Sequence, residues 1–497
     1  MQDKSMKVLK TKLMELAHIG STLGFLGWDE QVMMPRDATE FRARTNAYLS
    51  GLYHKKVLEL NEFGLLDILH NKYDSLNDDD RVIVRETIRD YNRAKNIPTP
   101  LIEKLSQLST EAYSVWMSAR EKNDFSIFSP ILERIVDLKI EEANHIGYKE
   151  SPYDALLDEF ERDTTTKDLT RLFEELKQFL VPFVKNISES EATTRPLKGE
   201  FSINQQQNFS RILAEKIGFN FASGRLDTST HPFTSGTNPK DVRITTRYDK
   251  EDLMQSVMST IHETGHALYE QGLQAKHFGT PLGESVSFGI HESQSMFWEK
   301  RIGGSKAFWK FFYPQLKSHF KETFSGLSLE QFYKSINIIE PSLIRTEADE
   351  ATYCLHIIIR FELERDLIEQ KIRVNDLKKL WNEKMKNYLG IEVPDDVRGV
   401  LQDVHWAGGA FGYFPSYALG NLYSAQIYAT ARKKISNFDE LVSKGDFEPI
   451  LAWLRENIFS MGKRYTPAEL IKKVTGEQLN PQLFFNYLKE KYEVIYK

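Results

Sequence analysis

The pentapeptide HETGH at residues 262–266 is the pattern with the most chemical content in this sequence. On an α-helix, His262 and His266 share one face, so both imidazoles can bind the same metal ion. Glu263 lies just beside them, where its carboxylate can take a proton from a water molecule at that metal. Two surface histidines on an ordinary helix are the alternative explanation. The spacing favours a metal-dependent hydrolase, provided that further ligands are present.

A zinc site of this kind needs a third protein ligand and leaves its fourth position for water. Glu292, in the sequence HESQS at residues 291–295, is the best candidate. It enters an apolar run in which a carboxylate without a partner would be costly; a solvated glutamate in the first turn of a helix is the alternative. We therefore expect one Zn2+ per chain, bound by His262, His266 and Glu292. We expect Co2+ to substitute because it accepts the same ligands.

The segment that carries HETGH predicts an amphipathic helix. Apolar residues recur near helical spacing from Leu253 to Tyr269, and Gly272 offers a stop. Gly265, inside that helix, costs roughly 1 kcal/mol relative to alanine. We therefore expect a neighbouring segment or a substrate to pack closely against it.

Most of the remaining sequence also predicts helices. Spaced apolar positions and dense charge pairs occur over residues 4–60, 80–122, 125–147, 167–189, 204–217, 307–321 and 351–389. The exception is 219–249, where Val242, Ile244 and Thr246 alternate with polar residues as in a β-strand. We predict a small antiparallel sheet there, whose edge either binds an extended peptide or is only structural.

The composition is that of a large protein with an extensive core. The chain has 497 residues, of which 41% are hydrophobic and 12% aromatic, and no Pro/Gly/Ser-rich linker or repeat divides it. We expect a single catalytic domain over residues 1–497, either one body or two helical lobes flanking a groove. A net charge of −6 argues against a nucleic-acid partner.

The sequence also argues against a membrane and against an oxidising compartment. Residues 1–6 lead into a polar segment without an apolar signal region, and no run approaches roughly 18 uncharged apolar residues. Cys354 is the only cysteine, so an internal disulfide is impossible. We therefore expect a cytoplasmic protein.

Further motifs extend the pattern over nearly the whole chain. They are WDE at 28–30 with MMP at 33–35, HPF at 231–233, DVRIT at 241–245, IRTEAD at 344–349 and GVLQDVHW at 399–406. With HETGH and HESQS, they make the sequence resemble the carboxypeptidase Taq family of metallocarboxypeptidases, which are HExxH gluzincins. The resemblance implies a mainly α fold, with a large helical body, a deep active-site groove and the small antiparallel sheet before the zinc helix. It also implies a homodimer and broad specificity with poor release of proline.

The resemblance assigns stabilisation of the oxyanion to a late segment. In related helical gluzincins a histidine and a tyrosine fill this role, and His405 and Tyr413 match them here. Tyr417 competes with Tyr413, and an aromatic cluster that is merely core is the alternative. Tyr417 and His231 are also expected to contact the substrate.

Recognition of a free C-terminal carboxylate suits a guanidinium, which binds it in a bidentate manner. Arg345 is the first candidate because IRxxAD is matched residue by residue, and Arg243 is the second. Each arginine has the alternative of a plain ion pair, with Asp349 or Asp241 respectively.

Together these assignments predict a zinc-dependent metallocarboxypeptidase that removes C-terminal amino acids from short peptides with a free C-terminus. Glu263 is expected to be the general base, and Asp349 or Gln402 to orient the metal ligands. One alternative is a helical zinc oligopeptidase that cuts internally or releases dipeptides. The other is a non-enzymatic helical scaffold. Glu263 argues against the scaffold, because a structural zinc site would use a protein group as its fourth ligand.

Overall fold

The chain is built mainly from α-helices. The computed structural model describes residues 4–189, 197 and 199–496. The helices that precede the sheet are α1 (Lys4–Val32), α2 (Thr39–Leu58), α3 (Leu65–Asn71), α4 (Asp78–Asn96), α5 (Thr99–Lys122), α6 (Phe125–Ile146), α7 (Pro152–Leu157), α8 (Thr166–Ser188) and α9 (Ile203–Ile217). They confirm the predicted helical segments of this half, with a break around Pro35 that separates α1 from α2.

The helices that follow the sheet carry most of the predicted site. They are α10 (Leu253–Gly272), α11 (Phe288–Met296), α12 (Lys306–His319), α13 (Leu329–Ser335), α14 (Tyr353–Ile368), α15 (Leu377–Leu389), α16 (Pro415–Lys434), α17 (Phe438–Lys444), α18 (Glu448–Asn457), α19 (Pro467–Thr475) and α20 (Pro481–Ile495). The predicted HETGH helix is α10, and it ends at Gly272 as expected. The HESQS sequence lies in α11, which continues directly into a π-helical turn, Phe297–Gly303.

Side-chain caps define where the two central helices begin. Asp252 caps α10 by accepting a hydrogen bond from the backbone N of Gln255 at 3.1 Å. Ser287 caps α11 by accepting one from the backbone N of Ile290 at 3.1 Å. Both helices therefore start at positions encoded locally in the sequence, a short distance before the residues that carry the chemistry.

The sheet is mixed rather than antiparallel throughout. Its strands are β1 (Gly224–Thr228), β2 (Thr234–Asn238) and β3 (Asp241–Thr246), in the spatial order β1-β3-β2. The β2–β3 pair is antiparallel, as predicted, but β1 and β3 are parallel. The prediction was wrong for β1 because β3 returns between the two earlier strands, and alternation along a strand says nothing about such a connection. Val242 and Ile244 of β3 are buried, as their alternation predicts.

Helix α1 lies along β2, the edge strand that is nearest to α10. The hydroxyl of Ser21 donates to the carbonyl of Thr237 at 2.6 Å, and the hydroxyl of Ser235 donates to the carbonyl of Gly24 at 3.4 Å. A backbone carbonyl on the open edge of β2 is therefore already hydrogen bonded to α1. Thr234, at the start of the strand, faces α10 instead, where its hydroxyl contacts Glu263.

The described residues form three clusters of buried apolar side chains, and the smallest, which contains Val242 and Ile244, packs the sheet against α9 and α10. The largest cluster is formed by residues from α5 through α20 and contains the fully buried Trp298, Trp309 and Trp381. The second cluster lies among α1, α3 and α4 and contains Met6 and Leu69. Within the described ranges, no helix combines the length and the apolar character needed to cross a membrane. The single catalytic domain over residues 1–497 stays a prediction.

Glycines let three helices approach each other at the centre of the molecule. A Cβ at Gly265 of α10 would lie 2.6 Å from the carbonyl oxygen of Gln294 in α11. A Cβ at Gly420 of α16 would lie 2.6 Å from Cγ of Glu292. Close packing at Gly265 was predicted from its cost inside a helix. The partner is α11, and the contact brings the HETGH and HESQS sequences together.

Candidate active site

Three side chains converge between α10 and α11 as a metal site requires. One ligand atom from each of His262, His266 and Glu292 can be chosen so that all lie within 4.8 Å of one another. Oε2 of Glu292 lies 3.2 Å from Nε2 of His266 and 3.8 Å from Nε2 of His262. Ligands bonded to a tetrahedral zinc ion are about 3.3 Å apart, so the donor set and its spacing fit such an ion. Three protein ligands leave a fourth position open.

The other ring nitrogens of both histidines have partners. Nδ1 of His262 lies 2.8 Å from Oε2 of Glu299. Nδ1 of His266 lies 2.6 Å from Nδ1 of His291, whose Nε2 lies 2.7 Å from Oε1 of Glu270. These contacts leave Nε2 of each metal-facing histidine free to bind an ion, an arrangement that fixes ring orientation in metal sites.

The electrostatic environment of the three side chains favours a cation. Burial lowers the pKa of His262, but the carboxylates of Glu292, Glu299 and Glu263 outweigh burial and raise it to about 9. Burial, together with the charges of His291 and His262, lowers the pKa of His266 to about 4, so the site holds one positive charge and not two. A divalent ion would satisfy the same demand for positive charge.

Glu263 is buried and held from one side by the sheet. The Thr234 hydroxyl donates to its Oε2 at 2.6 Å and lies 3.1 Å from its backbone carbonyl. Burial raises the pKa of the Glu263 carboxyl above its usual value, although His262 and the Thr234 hydroxyl act in the opposite direction. A raised pKa suits a group that must accept a proton and release it again.

Arg345 belongs to a buried cluster in which two guanidiniums share one carboxylate. Its Nη2 lies 3.0 Å from Oδ1 of Asp403, and Nε of Arg360 donates to Oδ2 of the same residue at 2.7 Å. Burial lowers the pKa of Arg345, but Asp403 outweighs this and keeps the arginine charged. The cluster therefore carries a net positive charge. The ion-pair alternative named Asp349 as the partner, but the carboxylate that pairs with Arg345 is that of Asp403.

Arg243, the second candidate, is paired differently. Its Nε and Nη2 donate to the two carboxylate oxygens of Asp241 at 2.9 and 3.0 Å. Its guanidinium also lies over the rings of Phe25 and Trp28, at 4.9 and 4.3 Å from their centroids. This pair is neutral and both carboxylate oxygens are used, as the plain ion-pair alternative predicted.

His405, Tyr413 and Tyr417 form one aromatic group. The ring of His405 is 5.7 Å from that of Tyr413 and 6.3 Å from that of Tyr417, and the two tyrosine rings are 5.1 Å apart. Burial lowers the pKa of His405 to about 4, with Asp403 opposing the shift, so the imidazole is neutral at neutral pH. His231 is exposed and lies close enough to His405 to influence its charge electrostatically.

Neither candidate for orienting the metal ligands does so. Asp349 accepts hydrogen bonds from the backbone of Ala351 and Thr352, at 2.9 and 3.0 Å, and stabilises the turn before α14. Gln402 accepts from the backbone N of Arg345 at 3.0 Å. Both side chains stabilise the segments around the arginine cluster, so the prediction that they contact the metal ligands was wrong.

Sequence reasoning missed the residues that orient the histidines. Glu299 lies in the π-helical turn that continues α11, and its carboxylate approaches His262 of α10, as that of Glu292 does. The sequence signal was weak, because Glu299 is the first of three consecutive charged residues, Glu299 to Arg301, and nothing local distinguishes it from them. Thr234 and Asp403 were less accessible, because their roles depend on contacts between distant parts of the chain.

A cavity lies on the sheet side of the molecule, and none of the three candidate metal ligands lines it. It has a volume of about 450 Å3 and lies between α1, β2 and residues 158–162. Its wall includes Glu270, which binds His291, and Phe288, whose ring is 5.4 Å from that of Tyr413. The cavity is therefore related to the candidate metal site only through Glu270 and its partner His291.

Known proteins are similar to this chain in both sequence and fold. Residues 8–492 match the family described as carboxypeptidase Taq (M32) metallopeptidase. Carboxypeptidase 1 of Bacillus subtilis (strain 168) is 40% identical over 486 residues, which cover 97% of each chain. Thermostable carboxypeptidase 1 of Pyrococcus furiosus is 40% identical over 495 residues, 99% of each chain. The solved structure of an M32 carboxypeptidase from Deinococcus radiodurans R1 has a TM-score of 0.96 at 37% identity, covering 99% of this chain and 100% of that one.

The chain therefore belongs to the carboxypeptidase Taq (M32) family of metallopeptidases. It is a metallocarboxypeptidase, a peptide hydrolase. The predicted family and the mainly α fold are confirmed.

Proposed function

We propose that this metallocarboxypeptidase uses one Zn2+ ion to remove C-terminal amino acids from short peptides with broad specificity. The observation that carries the proposal is the convergence of His262, His266 and Glu292 beside the buried carboxylate of Glu263. A zinc ion held by these three ligands would polarise the scissile carbonyl and lower the pKa of the attacking water.

Glu263 is the general base in this proposal. It lies next to His262 on α10, and the Thr234 hydroxyl limits its side-chain movement through a 2.6 Å hydrogen bond. It takes the proton of the attacking water and passes it to the leaving amine. Neutral His405 and the hydroxyl of Tyr413 are the donors proposed to stabilise the oxyanion. Both remain uncharged at neutral pH, since burial lowers the pKa of His405 and raises that of Tyr413.

Specificity for a free C-terminus rests on Arg345. Its cluster with Arg360 and Asp403 has one positive charge in excess, and a peptide carboxylate would neutralise it. The neutral Arg243–Asp241 pair offers no such excess charge. Tyr417, whose ring is 5.0 Å from the Arg345 guanidinium, is a further substrate contact in this proposal.

The direction of a bound peptide follows from the same residues. The ring of Phe288 in the cavity wall is 5.4 Å from Tyr413, and Tyr413 is 5.1 Å from Tyr417, which adjoins Arg345. A peptide whose C-terminus binds Arg345 would therefore pass Tyr413 and extend into the cavity. His231 and Arg243 are proposed to contact the substrate around this path.

The remaining assignments complete the proposal. We expect a cytoplasmic homodimer that binds neither nucleic acid nor membrane, with Co2+ able to replace Zn2+. Light scattering on the purified protein tests the dimer: a mass of one chain across the working concentration range would exclude it.

Product analysis distinguishes the exopeptidase from an oligopeptidase. Peptides of increasing length are offered with a free, an amidated or an N-acetylated end, and products are identified by mass spectrometry. Stepwise loss of single C-terminal residues, abolished by amidation and not by acetylation, is expected. Internal fragments or released dipeptides from amidated peptides would favour the oligopeptidase.

A further inference from the structure

Glu161 is a buried carboxylate bound to the start of the metal-ligand helix. It is 0% exposed and lies in the turn between α7 and α8. Its carboxylate accepts hydrogen bonds from the hydroxyl of Ser287 at 3.0 Å, the backbone N of Gly289 at 2.9 Å and the hydroxyl of Tyr423 at 3.2 Å. Ser287 is the cap of α11 and Gly289 is its second residue, so Glu161 binds this helix one turn before Glu292.

The contact with α11 is made at close range through hydrogen bonds. A Cβ at Gly289 would lie 2.7 Å from Oε2 of Glu161, so a side chain there would displace the carboxylate. Burial raises the pKa of the Glu161 carboxyl to about 7, so its hydrogen bonds to the hydroxyl of Ser287 and the backbone N of Gly289, more than its charge, hold it to the start of the helix. The position of α11 along its own axis is therefore tied to Glu161.

Glu364 binds the other half of the site in the same way. It is 0% exposed in α14. Its carboxylate accepts from Nε1 of Trp406 at 2.8 Å, the backbone N of Gly412 at 3.0 Å and the hydroxyl of Tyr153 at 2.7 Å. Trp406 directly follows His405 in the sequence, and Gly412 directly precedes Tyr413.

The segment that Glu364 holds has no regular secondary structure of its own to fix it. Gly412 has a φ of +90°, and a Cβ there would lie 2.8 Å from the backbone of Leu156. The turn between His405 and Tyr413 thus depends on tight backbone packing and on the two hydrogen bonds to Glu364. Losing either bond would free one end of the turn.

We propose that Glu161 and Glu364 are positioning residues, Glu161 for the metal ligand Glu292 and Glu364 for His405 and Tyr413. Each carboxylate takes three donors without touching any proposed catalytic group. Burying a carboxylate opposes folding unless its oxygens are fully used, and an apolar residue would avoid that cost. This inference rests on the functions proposed above for Glu292, His405 and Tyr413.

The test compares Glu161→Gln with Glu364→Gln. In Glu364→Gln the amide NH2 must face either Nε1 of Trp406 or the backbone N of Gly412, both of which only donate, so one hydrogen bond becomes a repulsion. In Glu161→Gln the amide oxygen can still accept from Gly289, but the NH2 then faces the hydroxyls of Ser287 and Tyr423, which can no longer donate to this side chain, and the carboxylate is lost. Glu161→Gln should raise the Kd for Zn2+, measured by competition with a chromophoric chelator, by about 10- to 100-fold. Glu364→Gln should leave that Kd unchanged. At saturating Zn2+ it should lower kcat up to about 100-fold with little change in KM, because misplaced groups lose transition-state contacts.

Asp396→Asn is the matched control. Asp396 is a buried carboxylate that accepts from the backbone N of Phe125, the first residue of α6, at 2.9 Å. This variant should lower Tm without changing the Kd or kcat. If the two glutamine variants lower Tm but leave both constants unchanged, as the control does, the proposal is overturned. It is also overturned if each variant lowers metal affinity and kcat together.

Single-donor variants cover the case in which a glutamine variant does not fold. Tyr423→Phe removes one donor to Glu161, and Trp406→Phe removes one donor to Glu364. Tyr423→Phe should weaken Zn2+ binding, and Trp406→Phe should lower kcat. If the Kd for Zn2+ and kcat are unchanged in both variants, the proposal is overturned. The unmodified enzyme is assayed in parallel. If it has no carboxypeptidase activity, the proposed function is contradicted. The Kd for Zn2+ of Glu161→Gln and Tyr423→Phe is still an independent test of the role of Glu161.

Discussion

Arg345 and Asp403 form a buried ion pair in which Nη2 of the guanidinium lies 3.0 Å from Oδ1 of the carboxylate. Asp403 also binds Arg360, and the two arginines hold the pKa of this carboxyl well below its usual range despite its burial. The carboxylate of Asp403 is thus paired with both guanidiniums, in buried surroundings that exclude most water. A second carboxylate, that of the peptide C-terminus, is the ligand that this imbalance favours.

The first prediction concerns Arg345→Ala. The fold should survive, because Asp403 keeps Arg360 as a partner. Loss of the carboxylate contact should lower kcat/KM on free peptides about 100-fold, equivalent to about 3 kcal/mol. Lysine should restore only part, because it keeps the charge and loses the planar fork. The measurement is hydrolysis of matched peptides with a free or an amidated C-terminus.

Amidation provides the control for this prediction. It should harm the parent enzyme strongly and the alanine variant very little, because the contact is already gone. Arg243→Ala should keep the sensitivity to amidation, since Arg243 is already paired with Asp241. If amidation harms the parent and Arg345→Ala equally, Arg345 is not the anchor and Arg243 becomes the first candidate.

The convergence of His262, His266 and Glu292 was predictable from the sequence, and the arginine cluster was not. The spacing of His262 and His266 on a helix determines a shared face, and a carboxylate entering an apolar run identified Glu292. The partner of Arg345 could not be read in this way. Asp349 is near in sequence but is used by backbone N–H groups, whereas Asp403 approaches only through the packing of the 399–406 segment.

Some parts of the fold were likewise predictable from local sequence, and others depended on contacts between distant segments. Helical periodicity identified most helices, because it reports burial of one face. The parallel pairing of β1 and β3 was missed, because strand order depends on how the connecting segments cross and not on alternation within each strand. The covering of β2 by α1 was likewise invisible, since it joins Ser21 to Thr237 across most of the N-terminal half.

The second prediction separates catalysis from metal binding at Glu263. Glu263→Gln keeps the shape of the side chain and still accepts the hydrogen bond from Thr234, but it cannot take a proton. The variant should retain its metal, measured by elemental analysis, while turnover falls at least ~100-fold. Loss of metal together with activity would show that Glu263 is structural. Near-normal turnover would mean that another group handles the proton.

The third prediction concerns the metal ligands and the carboxylate behind one of them. His266→Ala should abolish stoichiometric Zn2+ binding, and Co2+ added to metal-stripped parent protein should restore activity. Glu299→Gln should weaken Zn2+ binding about 10- to 100-fold, because the ring of His262 loses the carboxylate that orients it. Chelator competition measures each affinity. Full activity after thorough metal removal, or unchanged metal content in His266→Ala, would refute the assignment.

The last prediction concerns stability at acidic pH through His356, which is buried in α14 behind the arginine cluster. Burial, together with the charges of Arg360 and Arg345, lowers its pKa from 6.5 in the unfolded chain to about 3. Below pH 6.5 the unfolded chain therefore binds a proton that the folded protein does not, and stability falls as the pH decreases towards 3. Between pH 7 and pH 5 this one group should reduce the free energy of unfolding by about 2 kcal/mol. His356→Leu, which cannot titrate, should lose about 2 kcal/mol less than the parent over the same interval in urea denaturation. Parallel pH dependence in parent and variant would show that His356 does not cause the loss.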